Sequence, residues 1–185
     1  MLEFLPITTD VELQQILDLQ AINLAVNLTP AQIAEQGFLT MRYDFPTIKQ
    51  MNDTEQGILI KDGDALAGYI LAMSKKLRNA VPELVPMFDT FDHLYYKNKS
   101  LNNYNYIVIG QICIAEAYRG KHLFDKAYAA YRALLSPIYD FTITEVSKRN
   151  LRSMNAHKRV GFQVVDEFEE PNGAQWNIVL WDWRE

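Results

Sequence analysis

Cysteine and histidine are scarce in this sequence, and their scarcity argues against two kinds of site. Cys113 is the single cysteine among 185 residues, so no disulfide can form within the chain. His93, His122 and His157 lie far apart and lack the spacing of zinc ligands. We therefore expect no metal site.

A secretory signal, a long apolar run and an excess of positive charge are also missing. Residues 1–10 contain no basic segment followed by an apolar stretch, which favours a cytoplasmic location. No run of ~18 or more apolar residues is present, so we expect no membrane partner. With 18 Lys and Arg against 23 Asp and Glu, the net charge is −5. Because nucleic-acid binding needs a basic face, we expect no nucleic-acid partner.

What the sequence does contain is a regular succession of strand and helix patterns. Apolar residues make up 49% of the chain, enough to form a core in a single domain spanning residues 1–185. Asp62-Gly63 predicts a hairpin turn between two strands, and Pro171-Asn172-Gly173 predicts another. The succession predicts an α+β fold. The patterns predict strands at 2–7, 57–60, 65–73, 106–115, 141–146, 162–168 and 175–183, and helices at 11–23, 30–37, 123–135 and 150–160.

Residues 77–105 have a different texture from the rest of the chain. Aromatic residues from Phe88 to Tyr96 predict a helix, and residues 97–105 are polar and loop-like. Segments of this length between strands more often have a function than serve only as connections. We therefore interpret residues 77–105 as an insertion that covers a substrate.

An apolar strand, a tight polar loop and a helix start follow one another between Gln111 and Phe124. The free N–H groups and the dipole of a first helical turn point at such a loop. Arg119 and Lys121 add positive charge, and Gly120 lets the backbone approach a ligand closely. The pattern favours a site for a phosphate-bearing ligand. An ordinary solvated basic turn is the alternative.

The loop resembles the diphosphate-binding segment of the GNAT N-acetyltransferase superfamily, whose pattern is Gln/Arg-x-x-Gly-x-Gly/Ala after an apolar strand. Arg119 stands at the first position of that pattern. His122 and Phe124 stand where the pattern has a glycine and a final small residue. Since backbone N–H groups hold most of the phosphate, His122 is compatible with binding if its backbone conformation tolerates a Cβ atom.

Residues 146–162 resemble the later motif of the same superfamily. That motif is a strand end, an Asn, a small residue three positions on, an aromatic or polar residue seven on, then a basic residue and Gly-Phe. Two partial motifs ~30 residues apart, in the right order and on the right elements, are more specific than either one alone. The residues in register are Asn150, Ser153, His157, Arg159, Gly161 and Phe162.

The resemblance implies a GNAT-like fold: a mixed, mostly antiparallel central sheet with helices on both faces and a splayed pair of parallel strands. It also implies acetyl-CoA as cofactor, with the pantetheine arm lying along strand edges in the gap of that pair. The N–H of Ile114 would stabilise the thioester oxygen as it gains charge. The cofactor-binding residues that the resemblance implies are Ile112, Ile114, Arg119, Gly120, Lys121, His122, Leu123, Phe124, Asn150 and Ser153.

Two residues are candidates for a catalytic role. Asn150, Ser153 and His157 share one face of the predicted helix because they lie at i, i+3 and i+7. In many relatives a tyrosine at the His157 position protonates the departing CoA thiolate. The resemblance therefore makes His157 the acid or a hydrogen-bond partner of the sulfur, with a surface or capping histidine as the alternative. Gln111 can hold a water but cannot act as a base, and no carboxylate identifies itself as the base.

The resemblance implies an enzyme that moves an acetyl group from acetyl-CoA to a primary amine of a small molecule or peptide. The alternative is a non-catalytic GNAT-fold module that binds or senses acyl-CoA. Apolar surface on the last strand leaves a homodimer open. The acceptor, the length of the acyl group and the oligomeric state are not determined by the sequence.

Overall fold

The computed structural model describes residues 1–170 and 172–184, so Pro171 of the predicted last turn lies outside the described residues. Its strands and helices follow one another largely as predicted. They are β1 (Leu2–Pro6), α1 (Asp10–Asn23), α2 (Pro30–Gln36), α3 (Phe45–Thr54), β2 (Ile58–Asp62), β3 (Ala65–Ser74), α4 (Val85–His93), β4 (Tyr95–Tyr96), β5 (Lys99–Ser100), β6 (Tyr106–Ile114), α5 (Leu123–Leu135), β7 (Phe141–Ser147), α6 (Leu151–Val160), β8 (Gln163–Glu169) and β9 (Gln175–Asp182).

Side-chain caps determine where the first two helices begin. The Thr9 hydroxyl accepts a hydrogen bond from the N–H of Glu12, and the Glu12 carboxylate accepts one from the N–H of Thr9. Thr29 and Gln32 form the same reciprocal pair at α2. Each pair satisfies donors that the first helical turn leaves open. The predicted helices at 11–23 and 30–37 are confirmed, with α1 starting one residue earlier, at Asp10.

Seven strands form one sheet in the order β1-β2-β3-β6-β7-β9-β8. All neighbours are antiparallel except β6 and β7, which are parallel. The order confirms a mixed, mostly antiparallel sheet. Of the described residues, no helix is long and apolar enough to cross a bilayer.

The two faces of the sheet carry two separate apolar cores, which confirms helices on both faces. On one face, β3 contributes Tyr69, Leu71 and Met73 to a core with α1, α3 and α4. On the other face, Ile70 and Ala72 pack against α5 and α6. This separation follows from the alternation of side chains along a strand.

A bulge at Gly110 and an early end to strand pairing open a gap between β6 and β7. The pairing of β3 with β6 shifts by one residue between Leu71 and Ala72, which leaves Gly110 unopposed. Only three residue pairs join β6 to β7, and the last is Val108 with Ile143. Bulges bend a strand and end pairing locally. The expected splay of the parallel strands is therefore present beyond Val108.

The part of the chain before β6 differs in two ways from the expectation. The aromatic helix ends at His93, and residues 95–100 form a short hairpin (β4 and β5) with positive φ angles of 49° at Lys97 and 63° at Asn98. Two left-handed residues in succession are typical of a tight hairpin turn.

α3 has no counterpart among the predicted helices, because only Ile48 and Met51 of its ten residues are buried and mark its apolar face.

The strand β9 offers no apolar surface to a partner. It lies between β7 and β8, and Ile178, Val179 and Leu180 are buried within the chain. The homodimer stays a prediction, and the apolar surface on which it was based is internal.

Candidate active site

A cavity of about 560 Å³ lies beside the gap in the sheet. We call it the large cavity. Its walls are the end of β6, the start of α5, the start of α6 and residues 34–39, which are the end of α2 and the three residues after it. Its volume lies within the range of pockets that bind small molecules and cofactors.

The start of α5 presents unpaired backbone donors to the large cavity. The first helical bond of this region runs from the N–H of Lys126 to the carbonyl of His122. Within the described chain, the N–H groups of residues 120–125 have no acceptor. Gly120 and His122 have positive φ angles of 75° and 57°, which turn consecutive N–H groups toward one side. With the helix dipole, these donors have the arrangement that suits an anion.

The basic side chains of this loop are already engaged. Arg119 donates from Nε to the Ile114 carbonyl at 3.0 Å and from its terminal nitrogens to Gln36 at 2.7 Å and Asn23 at 2.5 Å. The Nζ of Lys121 donates to the Ala117 carbonyl at 3.0 Å. Arg119 therefore ties β6 to the first two helices, and the free donors of the loop are mainly those of its backbone.

The edge of β6 that faces the gap carries free donors at Ile112 and Ile114. The N–H of Ala115 bonds to the Ala67 carbonyl of β3 at 2.9 Å. Because successive N–H groups of a strand point to opposite sides, those of Ile112 and Ile114 point toward β7. No β7 pairing reaches them, since the ladder ends at Val108.

The start of α6 forms the facing wall. The Asn150 side chain caps the helix by accepting from the Ser153 N–H at 3.1 Å, and it donates to the Phe38 carbonyl at 3.0 Å. Phe124 packs edge-on against the His157 ring with centroids 5.1 Å apart, and the Leu123 side chain is buried in the core. Leu123 and Phe124 have apolar side chains, so only their backbone N–H groups are available to an anion.

His157 on α6 lines a small cavity of about 100 Å³ beside the gap, although it is only 2% exposed. Its Nδ1 is 2.8 Å from the Ser153 carbonyl oxygen, and its Nε2 is 2.8 Å from the Tyr128 hydroxyl. Since a carbonyl can only accept, Nδ1 carries the proton and Nε2 accepts from Tyr128. Burial lowers the pKa of His157 to about 4, so the ring is neutral at physiological pH. Proton donation by His157 stays a prediction, with Nε2 already taken by Tyr128.

Gln111 is held on the opposite face of β6. Its Oε1 accepts from the Tyr69 hydroxyl at 2.7 Å, and its Nε2 donates to the Met41 carbonyl at 2.7 Å. The bulge at Gly110 turns Gln111 to this face, beside the same small cavity. Gln111 therefore fixes residues 37–44 to the sheet, and its water-holding role stays a prediction.

A second cavity, of about 250 Å³, opens on the face of the sheet that packs against α1, α3 and α4. We call it the acidic cavity because Glu83, Glu145 and Glu170 all line it. The indole of Trp176 forms part of its wall. Glu83 precedes α4 and Glu170 follows β8, so distant parts of the chain bring the three carboxylates together.

Glu145 on β7 is the functional candidate that the sequence analysis missed. Burial and the neighbouring charge of Glu170 raise its pKa to about 8. Its Oε2 and the Nε1 of Trp176 are both buried and have no hydrogen-bond partner. One signal could have revealed Glu145: it shares a strand face with Phe141 and Ile143, where an apolar residue is expected.

The small cavity connects the other two through the gap between β6 and β7. It shares Ile112 and Ser153 with the large cavity, and Gly110 and Glu145 with the acidic cavity. The three cavities therefore adjoin one another in a row that we call the slot, with the loop of free N–H groups beside its large-cavity end and Glu145 at its acidic-cavity end.

Comparison with solved structures identifies the fold. Arabidopsis thaliana NAA60 in complex with acetyl-CoA superposes with a TM-score of 0.62 at 13% identity, covering 98% of this chain and 99% of that one. The ribosomal-protein-S18-alanine N-acetyltransferase from Escherichia coli gives 0.62 at 10% identity, covering 98% and 94%. A GNAT-family acetyltransferase from Streptococcus agalactiae gives 0.64 at 11% identity, covering 98% and 95%. No protein-family model and no curated protein matches the sequence. The chain has the GNAT fold, as predicted.

Proposed function

We propose that this chain is an acyltransferase that moves the acetyl group of acetyl-CoA to a primary amine. The observation that carries the proposal is the slot, with N–H donors that suit an anion at one end and a carboxyl whose pKa is about 8 at the other. The transfer of an acetyl group from acetyl-CoA to an amine requires the protein to bind an anionic donor and to remove a proton from the amine.

The donor end of the slot fits a CoA thioester. The six free N–H groups of residues 120–125 suit a diphosphate, and open space at Gly120 leaves that approach unobstructed. The N–H groups of Ile112 and Ile114 suit the amide groups of a pantetheine arm lying in the gap like an added strand. Two of the similar solved structures support this donor: Arabidopsis NAA60 and a Salmonella typhimurium protein, each with acetyl-CoA.

The chemistry that the thioester supplies is an activated acyl carbon with a thiolate leaving group. The N–H of Ile114 donates to the oxygen on which negative charge develops. Glu145 takes the proton that an ammonium must lose before its nitrogen can form the new C–N bond. A nearby donor or solvent would supply the proton that the thiolate needs when the C–S bond breaks.

A water between Trp176 and Glu145 would complete the proton path. Nε1 of Trp176 can donate to such a water, which can donate in turn to Oε2 of Glu145. Both atoms are buried without hydrogen-bond partners, and their residues line the same cavity, so a water that reached both atoms would satisfy both. This arrangement lets Glu145 act over a slightly longer distance.

We propose that His157 and Ser153 act together on the leaving sulfur. The hydroxyl of Ser153 lies 3.2 Å from Nδ1 of His157 and lines both the large and the small cavity. His157 can thus orient the Ser153 hydroxyl as a donor to the sulfur. A His157→Phe enzyme with unchanged turnover from pH 6 to 9 would remove His157 from the mechanism.

Release of free CoA thiol with a panel of primary amines tests the proposal. Glu145→Gln keeps the shape of the side chain but removes the base, so we expect kcat/KM to fall by about 10²–10⁴ at pH 8. The matched control is Glu3→Gln, an exposed residue of β1 far along the sheet order from the slot. Unchanged turnover in Glu145→Gln contradicts the assigned base. Stabilisation by acetyl-CoA without thiol release from any amine supports the non-catalytic module instead.

A further inference from the structure

The walls of the acidic cavity combine negative charge with apolar surface. Glu83, Glu145 and Glu170 supply the charge, while Leu84, Met87 and Val108 supply much of the rest. Among the described residues, no Lys, Arg or His lines this cavity. Such a surface attracts a ligand with positive charge at its ends and an apolar stem between them.

Glu145 and Glu170 are half-buried and Glu83 is exposed. The first two differ from most other buried or half-buried acids of the described chain in having no cationic partner. Asp125 is held by Arg159 at 2.7 Å, and Asp182 by Arg184 at 2.7 Å. Among the described ion pairs, none involves Glu83, Glu145 or Glu170. Glu145 keeps its proton until the pH approaches about 8, and its ionisation then adds negative charge beside Glu170. A cation that enters the cavity relieves that repulsion.

The positions of the three carboxylates suit them to two different roles. Glu145 lies at the junction with the small cavity, where the reacting nitrogen must be. Glu83 and Glu170 line the acidic cavity only and do not reach the small cavity. They are therefore placed to hold a second positive charge away from the reaction.

We propose that the acceptor is an alkyl diamine or a longer polyamine, which presents one primary amine to Glu145 and a second ammonium group to Glu83 and Glu170. The inference rests on the proposed acetyl transfer and names its substrate class. The apolar wall contributed by Leu84 and Met87 would contact the methylene groups between the two nitrogens.

A matched pair of amines tests this inference. 1,5-Diaminopentane and n-pentylamine have the same carbon chain and differ in the second nitrogen. We expect kcat/KM for the diamine to be about tenfold higher in low salt, with the advantage shrinking as salt screens the second charge. Equal or better turnover of n-pentylamine overturns the proposal and leaves acetyl transfer intact.

Two variants locate the second charge site. In Glu83→Gln and Glu170→Gln, we expect the ratio of diamine to monoamine kcat/KM to fall by roughly three- to tenfold, as expected for loss of one partly exposed ion pair. Glu3→Gln should leave the ratio unchanged. A ratio that stays at the wild-type value in the Glu83→Gln/Glu170→Gln double variant contradicts the assignment.

Calorimetric titration of diaminopentane into the chain gives a readout that does not depend on turnover. We expect binding that is at least about tenfold weaker in the double variant. Absence of binding to the wild-type chain overturns the substrate class. Failure of acetyl-CoA to bind or to release thiol with any amine is a separate result that overturns the proposed transfer.

Discussion

Glu145 shows how one side chain couples activity and stability to pH. Its pKa is about 8 in the folded chain against a value of 4.5 for an ordinary glutamate. Between pH 4.5 and about 8 the folded chain therefore keeps the proton on the Glu145 carboxyl group, whereas the unfolded chain releases it near pH 4.5. The stability that neutral Glu145 contributes is complete below pH 4.5 and is lost as pH rises toward 8.

A pH series on the enzyme and on Glu145→Gln tests this coupling. We expect kcat/KM of the wild-type chain to rise with pH through about 8, because only ionised Glu145 accepts a proton. We expect Glu145→Gln to raise Tm relative to wild type at pH 8 more than at pH 5, because glutamine cannot ionise. Parallel Tm curves for the two chains would contradict the raised pKa.

His122 is a second residue whose environment predicts a measurable effect. It precedes α5 with φ at 57° and ψ at 24°, in the left-handed region, and its side chain is 74% exposed. A residue with a Cβ atom is strained there by roughly 1 kcal/mol, and glycine is not. We expect His122→Gly to leave the free energy of unfolding unchanged or raise it by up to about 1 kcal/mol in urea denaturation. A loss above about 1 kcal/mol would show that the weak contact of His122 with Asp125 matters more than strain.

At the scale of elements, the gap between β6 and β7 depends on the bulge at Gly110. A Cβ atom at this position would lie 2.4 Å from Cε of Met51 on α3. Glycine therefore allows α3 to pack against the bulged strand. The same bulge turns Gln111 toward the loop before α3 and Ile112 toward the opposite core.

Gly110→Ala tests this contact. Because the methyl group must displace the buried end of Met51, we expect a loss of about 1–3 kcal/mol in the free energy of unfolding. Met51→Leu, which has no Cε atom, should recover part of the loss in the double variant. Strictly additive losses in the double-mutant cycle would exclude the Met51 contact as the cause.

At the scale of the whole molecule, the slot predicts that ligand binding and folding are linked. The walls of the large cavity come from α2, β6, α5 and α6, which approach one another only in the folded chain. A ligand that binds there must therefore stabilise the native state against the unfolded one.

Thermal denaturation with acetyl-CoA measures this linkage. At a hundredfold excess over Kd we expect about 2.7 kcal/mol of stabilisation, or a rise in Tm of about 5–10 °C. Acetylated pantetheine, which lacks the diphosphate, should stabilise much less because it leaves the N–H groups of residues 120–125 unpaired. No shift with millimolar acetyl-CoA would contradict the cofactor proposal.

Local sequence signals determined most of the elements. The capping residues Thr9 and Thr29 and the side-chain alternation of the strands are short-range properties, and α5 begins and ends at the predicted residues. The weak apolar stripe of α3 and the two-residue turn at Lys97 and Asn98 gave less signal, so those elements differ from the expectation.

The sequence by itself determined the α+β fold class, the splayed strand pair and the loop of free N–H groups, because each depends on neighbours a few residues apart or on motif order. Only the tertiary structure decided how the side chains are used. Arg119 is engaged by residues 83 and 96 positions away, and burial leaves His157 neutral. Glu145 meets Glu83 and Glu170 across a cavity, and its raised pKa results from that burial and charge. Burial and long-range charge depend on contacts between distant residues, which no local pattern encodes.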